Sequence, residues 1–211
     1  MTQTHEGIAN KLPVIENGGE LSIETATQIE AGLACAKQHL YDEALMHLNR
    51  ALDLDPSNSK AYYNRGLIYE KMECYNEAVK DYNQAIQINP SYALAYFNRG
   101  CIYAGMSRHK EALTDLTRAI KFDPSYARAY NNRGVLYERL KRNDEALADY
   151  KQAAHLDPTY SLAHYNVGAM LLRYGKLQTA LPYFEKAAQL GHSMAQQAVV
   201  QIKLVLRNSE S

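Results

Sequence analysis

Neither sign of charge prevails in this chain. Lys plus Arg and Asp plus Glu both number 23, and the formal net charge is zero. No long-range pull toward nucleic acid or an acidic membrane surface is expected from such a balance. The short basic patches Lys141-Arg142 and Arg108-His109-Lys110 read as solvated turns rather than a nucleic-acid track. Cysteine is scarce too: Cys35, Cys74 and Cys101 form no close pair and leave one odd. They read as small, mostly packed residues of a reducing compartment. No stretch approaches the roughly 18 consecutive apolar residues of a membrane-spanning helix. The opening MTQTHEGIANKLPVIENGGE lacks the basic start and apolar run of a secretory signal. A cytoplasmic setting, with no nucleic acid and no membrane as partner, is the expectation.

Catalytic signatures are missing as well. The seven histidines (His5, His39, His47, His109, His155, His164, His192) include no pair at the i, i+4 spacing of a helical metal site. There is no glycine-rich phosphate loop, nucleophile elbow or cysteine cluster. The sequence thus predicts no enzyme, no cofactor and no metal.

What the chain has instead is a period. SKAYYNRGLIYEKMECYNEAVKDYNQAIQINPSY, from Ser59 to Tyr92, returns 34 residues later as ALAYFNRGCIYAGMSRHKEALTDLTRAIKFDPSY, and again as RAYNNRGVLYERLKRNDEALADYKQAAHLDPTY. Pro56, Pro90, Pro124 and Pro158 close four units, each after Asp or Asn and before Ser or Thr. The residue before proline is pushed out of the helical region, so a helix stops there, and the hydroxyl that follows is placed to cap the next one. A second break falls near Cys74, Arg108 and Arg142, followed by acidic residues that suit a first helical turn. The unit is helix, turn, helix. Tyr62, Gly66 and Tyr69 share one face of its first helix; Ala78, Tyr82 and Ala85 share one face of its second. Mid-helix glycine costs about 1 kcal/mol against alanine, yet Gly32, Gly66, Gly100, Gly134 and Gly168 recur in register. Close helix–helix approach is the expected return, with Ala44, Ala78, Ala112, Ala146 and Ala180 as the small residues opposite.

These residues resemble the tetratricopeptide repeat, with its bulky residue, Gly, Tyr, Ala, aromatic, Ala and Pro over 34 residues. The resemblance covers about 25–194 and implies an all-α fold, an α-solenoid wound as a right-handed superhelix. Five units are expected at about 25–58, 59–92, 93–126, 127–160 and 161–194, within a repeat region of 22–194. Residues 1–21 read as a flexible lead-in, and 195–211 as a capping helix and frayed tail. The first unit departs from the pattern, with Gln28 and Cys35 where later units have tyrosine. The fifth has His192 in place of proline, and Pro182 near the start of its second helix, where only a first-turn amide should be lost.

In this family the opposite face of the first helices lines a concave groove for extended peptides. Here that face carries Lys60, Asn64, Leu67 and Lys71, then Leu94, Asn98, Cys101 and Gly105, then Arg128, Asn132, Val135 and Arg139, then Leu162, Asn166, Ala169 and Arg173. Asn64, Asn98, Asn132 and Asn166 resemble the asparagine ladder of the O-linked N-acetylglucosamine transferase repeats, whose amides suit a peptide backbone. The other reading is that each amide bonds to a neighbouring helix and fixes spacing. Beside them Tyr63, Phe97, Asn131 and Tyr165 serve either as groove anchors or as packing between first helices. Arg65, Arg99 and Arg133 invite an anion-binding reading. Asp81, Asp115 and Asp149 recur sixteen residues after them, however, and the units lacking the arginine lack the aspartate. An Arg–Asp pair inside each hairpin accounts for both.

The resemblance also allows a negative expectation. Members that clamp heat-shock chaperone tails use Lys and Asn in one unit, Asn in the next, and Lys and Arg in the third; the first two places are here held by Ile29 and Leu33, or by Tyr63 and Leu67 one unit on. Only the asparagine, and Arg128 in part, match, so such a tail is not the expected ligand. The expected function is a scaffold binding a protein or extended peptide segment. The alternative is an assembly factor acting by self-association, through its convex face or its ends.

Overall fold

The structure, a computed structural model, describes residues 16–209. Among the described residues there are eleven helices and no strand, and they fall into two compact units divided after Ile88. The first unit holds α1 (Glu16–Lys37), α2 (Tyr41–Leu54), α3 (Ser59–Lys71) and α4 (Tyr75–Ile88). The second holds α5 (Ala93–Gly105), α6 (His109–Phe122), α7 (Ala127–Arg139), α8 (Asn143–Leu156), α9 (Ser161–Arg173), α10 (Leu177–Gln189) and α11 (Ser193–Ser209). Within each unit the helices pack as hairpins on the next helix in sequence, and first helices touch as well, α1 with α3 and α5 with α7. This is the all-α repeat packing that the 34-residue period predicts.

The recurring glycines sit where the hairpins close. A Cβ on Gly66 would lie 2.7 Å from Cε1 of Tyr82, and one on Gly134 would lie 2.7 Å from Cε1 of Tyr150. At Gly168 the ring of Phe184 would be 3.0 Å away. At these three glycines the seated group is an aromatic ring one turn beyond the recurring alanine, whereas at Gly32 and Gly100 it is Leu48 and Leu116, whose Cγ atoms would be 3.0 and 3.2 Å away. The alanine contributes its backbone: the Ala146 carbonyl oxygen would be 3.3 Å from the added carbon at Gly134. Tyr82, Tyr150 and Phe184 are buried as a result, and the two phenols reach Glu70 and Glu138 at 2.8 and 2.9 Å. Burial, and then the Glu138 bond, push the Tyr150 phenol far above its ordinary value.

The Arg–Asp pairs are present. Arg65 donates from Nε and Nη2 to both oxygens of Asp81 at 2.8 and 2.7 Å; Arg99 does so to Asp115 at 2.7 and 2.8 Å, and Arg133 to Asp149 at 2.7 and 2.8 Å. The carboxylates are buried, and a bidentate guanidinium is the partner that lets them be so. The same arginines reach one helix back. Arg65 Nη1 donates to Asn49 on α2 at 2.7 Å, and Arg133 Nη1 to Thr117 on α6 at 3.4 Å.

Each hairpin turn holds one residue in the left-handed region: His39, Glu73, Ser107, Lys141 and Gly175, with φ of 61°, 59°, 59°, 62° and 69°. Only the last is the residue type that adopts it without strain.

Three expectations change. The hydroxyls after the prolines do not cap the following helices. Ser57, Ser125 and Thr159 donate backbone N–H and hydroxyl to Asp55, Asp123 and Asp157, and Ser91 does the same to Asn89. The carboxylate or amide before the proline captures them in a local turn. At the start of α3 the cap is Asn58, whose side chain accepts from the Ala61 N–H at 3.0 Å. Second, Pro182 is the sixth residue of α10, which starts at Leu177, so it lies beyond the first turn. The Gln178 carbonyl loses its partner there, and since both residues are exposed, solvent serves it. Third, α1 begins at Glu16, so part of the expected lead-in, Gly18 and Gly19 included, is helical; the rest of it lies outside the described residues.

α11 buries Ala195 and Ile202 against a cluster that contains Phe184 and Ala187. Its outer side leaves Val200, Leu204 and Val205 at 69, 59 and 52% exposure.

Candidate functional site

On the second unit the opposite face of the first helices opens into a cleft of about 260 Å³, lined by Cys101, Ala104 and Gly105 of α5, Leu116 of α6, and Asn132, Val135, Leu136 and Arg139 of α7. Three expected groove residues, Cys101, Asn132 and Val135, are therefore brought together. All three are half-buried, as are Asn98 on the same face of α5 and Asn166 on α9, while Arg128 at the start of α7 is exposed. Leu116 and Leu136, at 1% exposure each, form a floor continuous with the core. They were not among the expected site residues, because their spacing marks them as core; only the cleft shows that the core surfaces here.

The asparagines are engaged. Asn132 Nδ2 donates to the Cys101 Sγ at 3.2 Å, so α7 is tied to α5. Asn166 Nδ2 donates to Asn131 Oδ1 at 2.9 Å, which ties α9 to α7. Both bonds join neighbouring first helices. Asn132 Oδ1 also accepts from Asn131 Nδ2 at 3.4 Å; an amide has two donors and an oxygen with two lone pairs, so these bonds do not exhaust it.

The neighbouring series packs. Asn131, expected on the groove, is 1% exposed and lies in the core of the stack, where Asn166 needs its oxygen; its place in the groove is corrected. Tyr63 lies with its ring centroid 5.8 Å from that of Tyr82, and Tyr165 lies 5.6 Å from Phe184, each against its own second helix. Tyr165 also stacks on His192 at 4.2 Å, and Phe97 packs on Tyr126 at 4.6 Å. All three are half-buried, with faces already occupied.

The first unit carries its own part of the series on α3. Lys60 is exposed, and Tyr63, Asn64 and Leu67 are half-buried. Lys60 borders a shallow hollow of about 390 Å³ with Thr25, Ile29 and Asp55.

The thiol of Cys101 accepts from the Asn132 amide, and among the described residues no three His, Cys, Asp or Glu side chains converge as a metal site would require. No described helix is long and apolar enough to cross a membrane. Near the α7 end of the face, burial raises the Tyr160 phenol above its ordinary value, with the Arg128 cation acting in the opposite sense.

Family comparison places these features. Matches described as "Tetratricopeptide repeat" fall on 59–92 and 127–160, a further one on 81–114, and matches described as "TPR repeat" on 32–73 and 106–141. They overlap into an unbroken run from 32 to 160. No curated protein matches the sequence. Among solved structures, pilF of Pseudomonas aeruginosa superposes with a TM-score of 0.82 at 18% identity, over 90% of this chain and 88% of that one. MamA of Desulfovibrio magneticus RS-1 gives 0.69 at 22% identity, over 81% and 96%. YrrB, described as a TPR protein with an unusual peptide-binding site, gives 0.66 at 24% identity, over 89% and 97%. At these identities the likeness is one of fold. With the recurring Gly–aromatic contacts and the hairpin packing already described, the run of matches over more than half its length makes this chain a member of the tetratricopeptide repeat family.

Proposed function

We propose that the chain is a non-catalytic scaffold that holds an extended segment of a partner protein on the first-helix face of its second unit. The observation that carries this is the open cleft between α5 and α7, which gathers Cys101, Asn132 and Val135 on the face opposite the hairpin packing. Asn98 and Asn166 extend the same face, and polar amides beside an apolar floor suit an extended backbone with one side chain inserted. The first-unit residues Lys60, Asn64 and Leu67 form a separate stretch of the same kind. The test is affinity capture from native cell extract with the parent chain and with an Asn98→Ala/Asn132→Ala variant of unchanged helicity. The partner should be lost from the variant; equal recovery on both would remove the groove.

A second reading, self-association, has its own observation. Val200 and Leu204 lie one turn apart on the outer side of α11, both more than half exposed. A two-fold contact between two such helices would cover both strips at once. Light scattering over a concentration series should then show mass rising toward a dimer, and Leu204→Asp should abolish the rise. A constant monomer mass would discard this reading.

A further inference from the structure

We infer that the cleft between α5 and α7 is a subsite for an aliphatic side chain whose neighbour along the bound segment carries a carboxylate, with Arg139 as the cation that recognises it. This rests on the groove reading above and gives it a ligand class.

The first support is a glycine with no packing role. Gly66, Gly134 and Gly168 each make room for a ring of the second helix, but a Cβ on Gly105 would meet nothing within 4 Å. Gly105 is the last residue of α5 and its φ is not positive, so no turn demands it either. In the corresponding place the other first helices end in Lys71, Arg139 and Arg173. Glycine is a poor helix former; in this place it leaves an open wall to the cleft.

The second support is the lining. Ala104, Leu116, Val135 and Leu136 supply apolar surface, and about 260 Å³ accommodates one branched side chain with its backbone rather than a cofactor-sized ligand. An aliphatic group seated there would take this apolar surface out of water.

The third is charge. Arg139 is the one ionised side chain lining the cleft, and it is exposed. The groove positions of α5, α7 and α9 include Arg128, Arg139 and Arg173 and no Asp or Glu, in a chain neutral overall. Arg173 is already paired with Glu138 at 2.7 Å, and Arg128 lies in the field of Asp157. Arg139 is thus the cation placed to meet a ligand carboxylate, and the planar fork of a guanidinium suits that group.

The test is selection of a displayed library of random dodecapeptides on the full chain, followed by fluorescence anisotropy of chosen clones. Enriched clones should share an aliphatic residue next to Asp or Glu. In the best clone, acid→amide replacement should weaken binding about three- to tenfold at low salt, less at high salt. Arg139→Gln should erase that difference. Gly105→Leu, at a position where a Cβ meets nothing within 4 Å, should remove binding by tenfold or more while the melting temperature holds or rises. Clones without the acidic preference, binding to Gly105→Leu at parental strength, or failure to enrich any clone would each overturn the inference. Clones that depend on Asn98 and Asn132 but ignore Gly105 and Arg139 would leave the groove standing and remove only this subsite. Clones indifferent to all four residues would remove both.

Discussion

The hairpins α3–α4, α5–α6 and α7–α8 hold their helices together differently from α1–α2 and α9–α10. The former three bury a carboxylate at Asp81, Asp115 or Asp149 and meet it with a bidentate arginine. In the first hairpin Ala31 stands in the arginine's place and His47 in the aspartate's; His47 Nδ1 turns instead to Gln28 Oε1 at 2.8 Å, three residues earlier on α1. In the fifth, Val167 and Tyr183 hold those places, and the ring of Tyr183 lies 6.3 Å from that of His164, again three residues earlier. A buried charge without its partner is far less favourable than either alternative. Arginine and aspartate therefore come and go together, and the neutral hairpins shift their contact by one turn of the first helix. The arginine also does something the neutral pairs do not. Through Asn49 and Thr117 it reaches the preceding hairpin, so one side chain joins two repeats.

The largest way to break this contrast is to remove one charge. Arg133→Ala should lower stability by about 3–5 kcal/mol, since Asp149 is left buried and unpaired, whereas Arg133→Met with Asp149→Leu should recover most of the loss. Urea unfolding followed by circular dichroism reads both, and a loss below ~1 kcal/mol for the single variant would count against a structural tie. Next in size is Gly134→Ala, which drives a methyl to 2.7 Å from the Tyr150 ring. About 1–3 kcal/mol is expected from overpacking, and a stabilising result would contradict the close approach. In the neutral first hairpin His47→Ala should cost only about 1 kcal/mol, the worth of an uncharged hydrogen bond. A loss matching that of Arg133→Ala would erase the distinction between the two kinds of hairpin.

The smallest effect lies in the turns. The Ser57 hydroxyl bond lowers the Asp55 carboxyl below its ordinary value; burial opposes it, and bonds from the Asn58 side chain and the Ser57 N–H add to the lowering. A depressed carboxyl stabilises the fold above its unfolded value and loses that contribution as pH falls through the folded one. Acid titration below about pH 4 should therefore show a shallower loss of stability in Asp55→Asn, which keeps the turn as Asn89 does in the next repeat, than in the parent. Identical acid limbs would show that Asp55 holds no such contribution.

The period made the hairpins legible because each position carries a physical demand that repeats with it. Gly134 needs no Cβ, Asp149 needs a cation, and Pro158 forbids a continuing helix. What escaped the sequence was contact direction. Tyr63, Phe97 and Tyr165 sit beside the groove stripe by angle, but their rings lean onto Tyr82, Tyr126 and Phe184, which residue type alone does not reveal. Asn131 shared their register and is buried, because the amide of Asn166 supplies a partner that no spacing rule announces. The left-handed turn residues were hidden too, since only Gly175 has the usual signature and Glu73, Ser107 and Lys141 adopt the same angle without it. The cleft was partly visible. Cys101, Asn132 and Val135 follow from helical spacing, while the opening beside them depends on Gly105 and on core leucines reaching the surface.

Packing residues and ligand-facing residues should therefore separate in a single paired measurement. Melting temperature and partner affinity are measured on the parent, on Arg133→Ala and on Asn98→Ala/Asn132→Ala. Arg133→Ala should lose melting temperature and, below its transition, keep affinity, whereas the double asparagine variant should keep most of its melting temperature and lose the partner. The reverse pattern, with affinity following Arg133 and indifferent to the asparagines, would place the binding surface elsewhere.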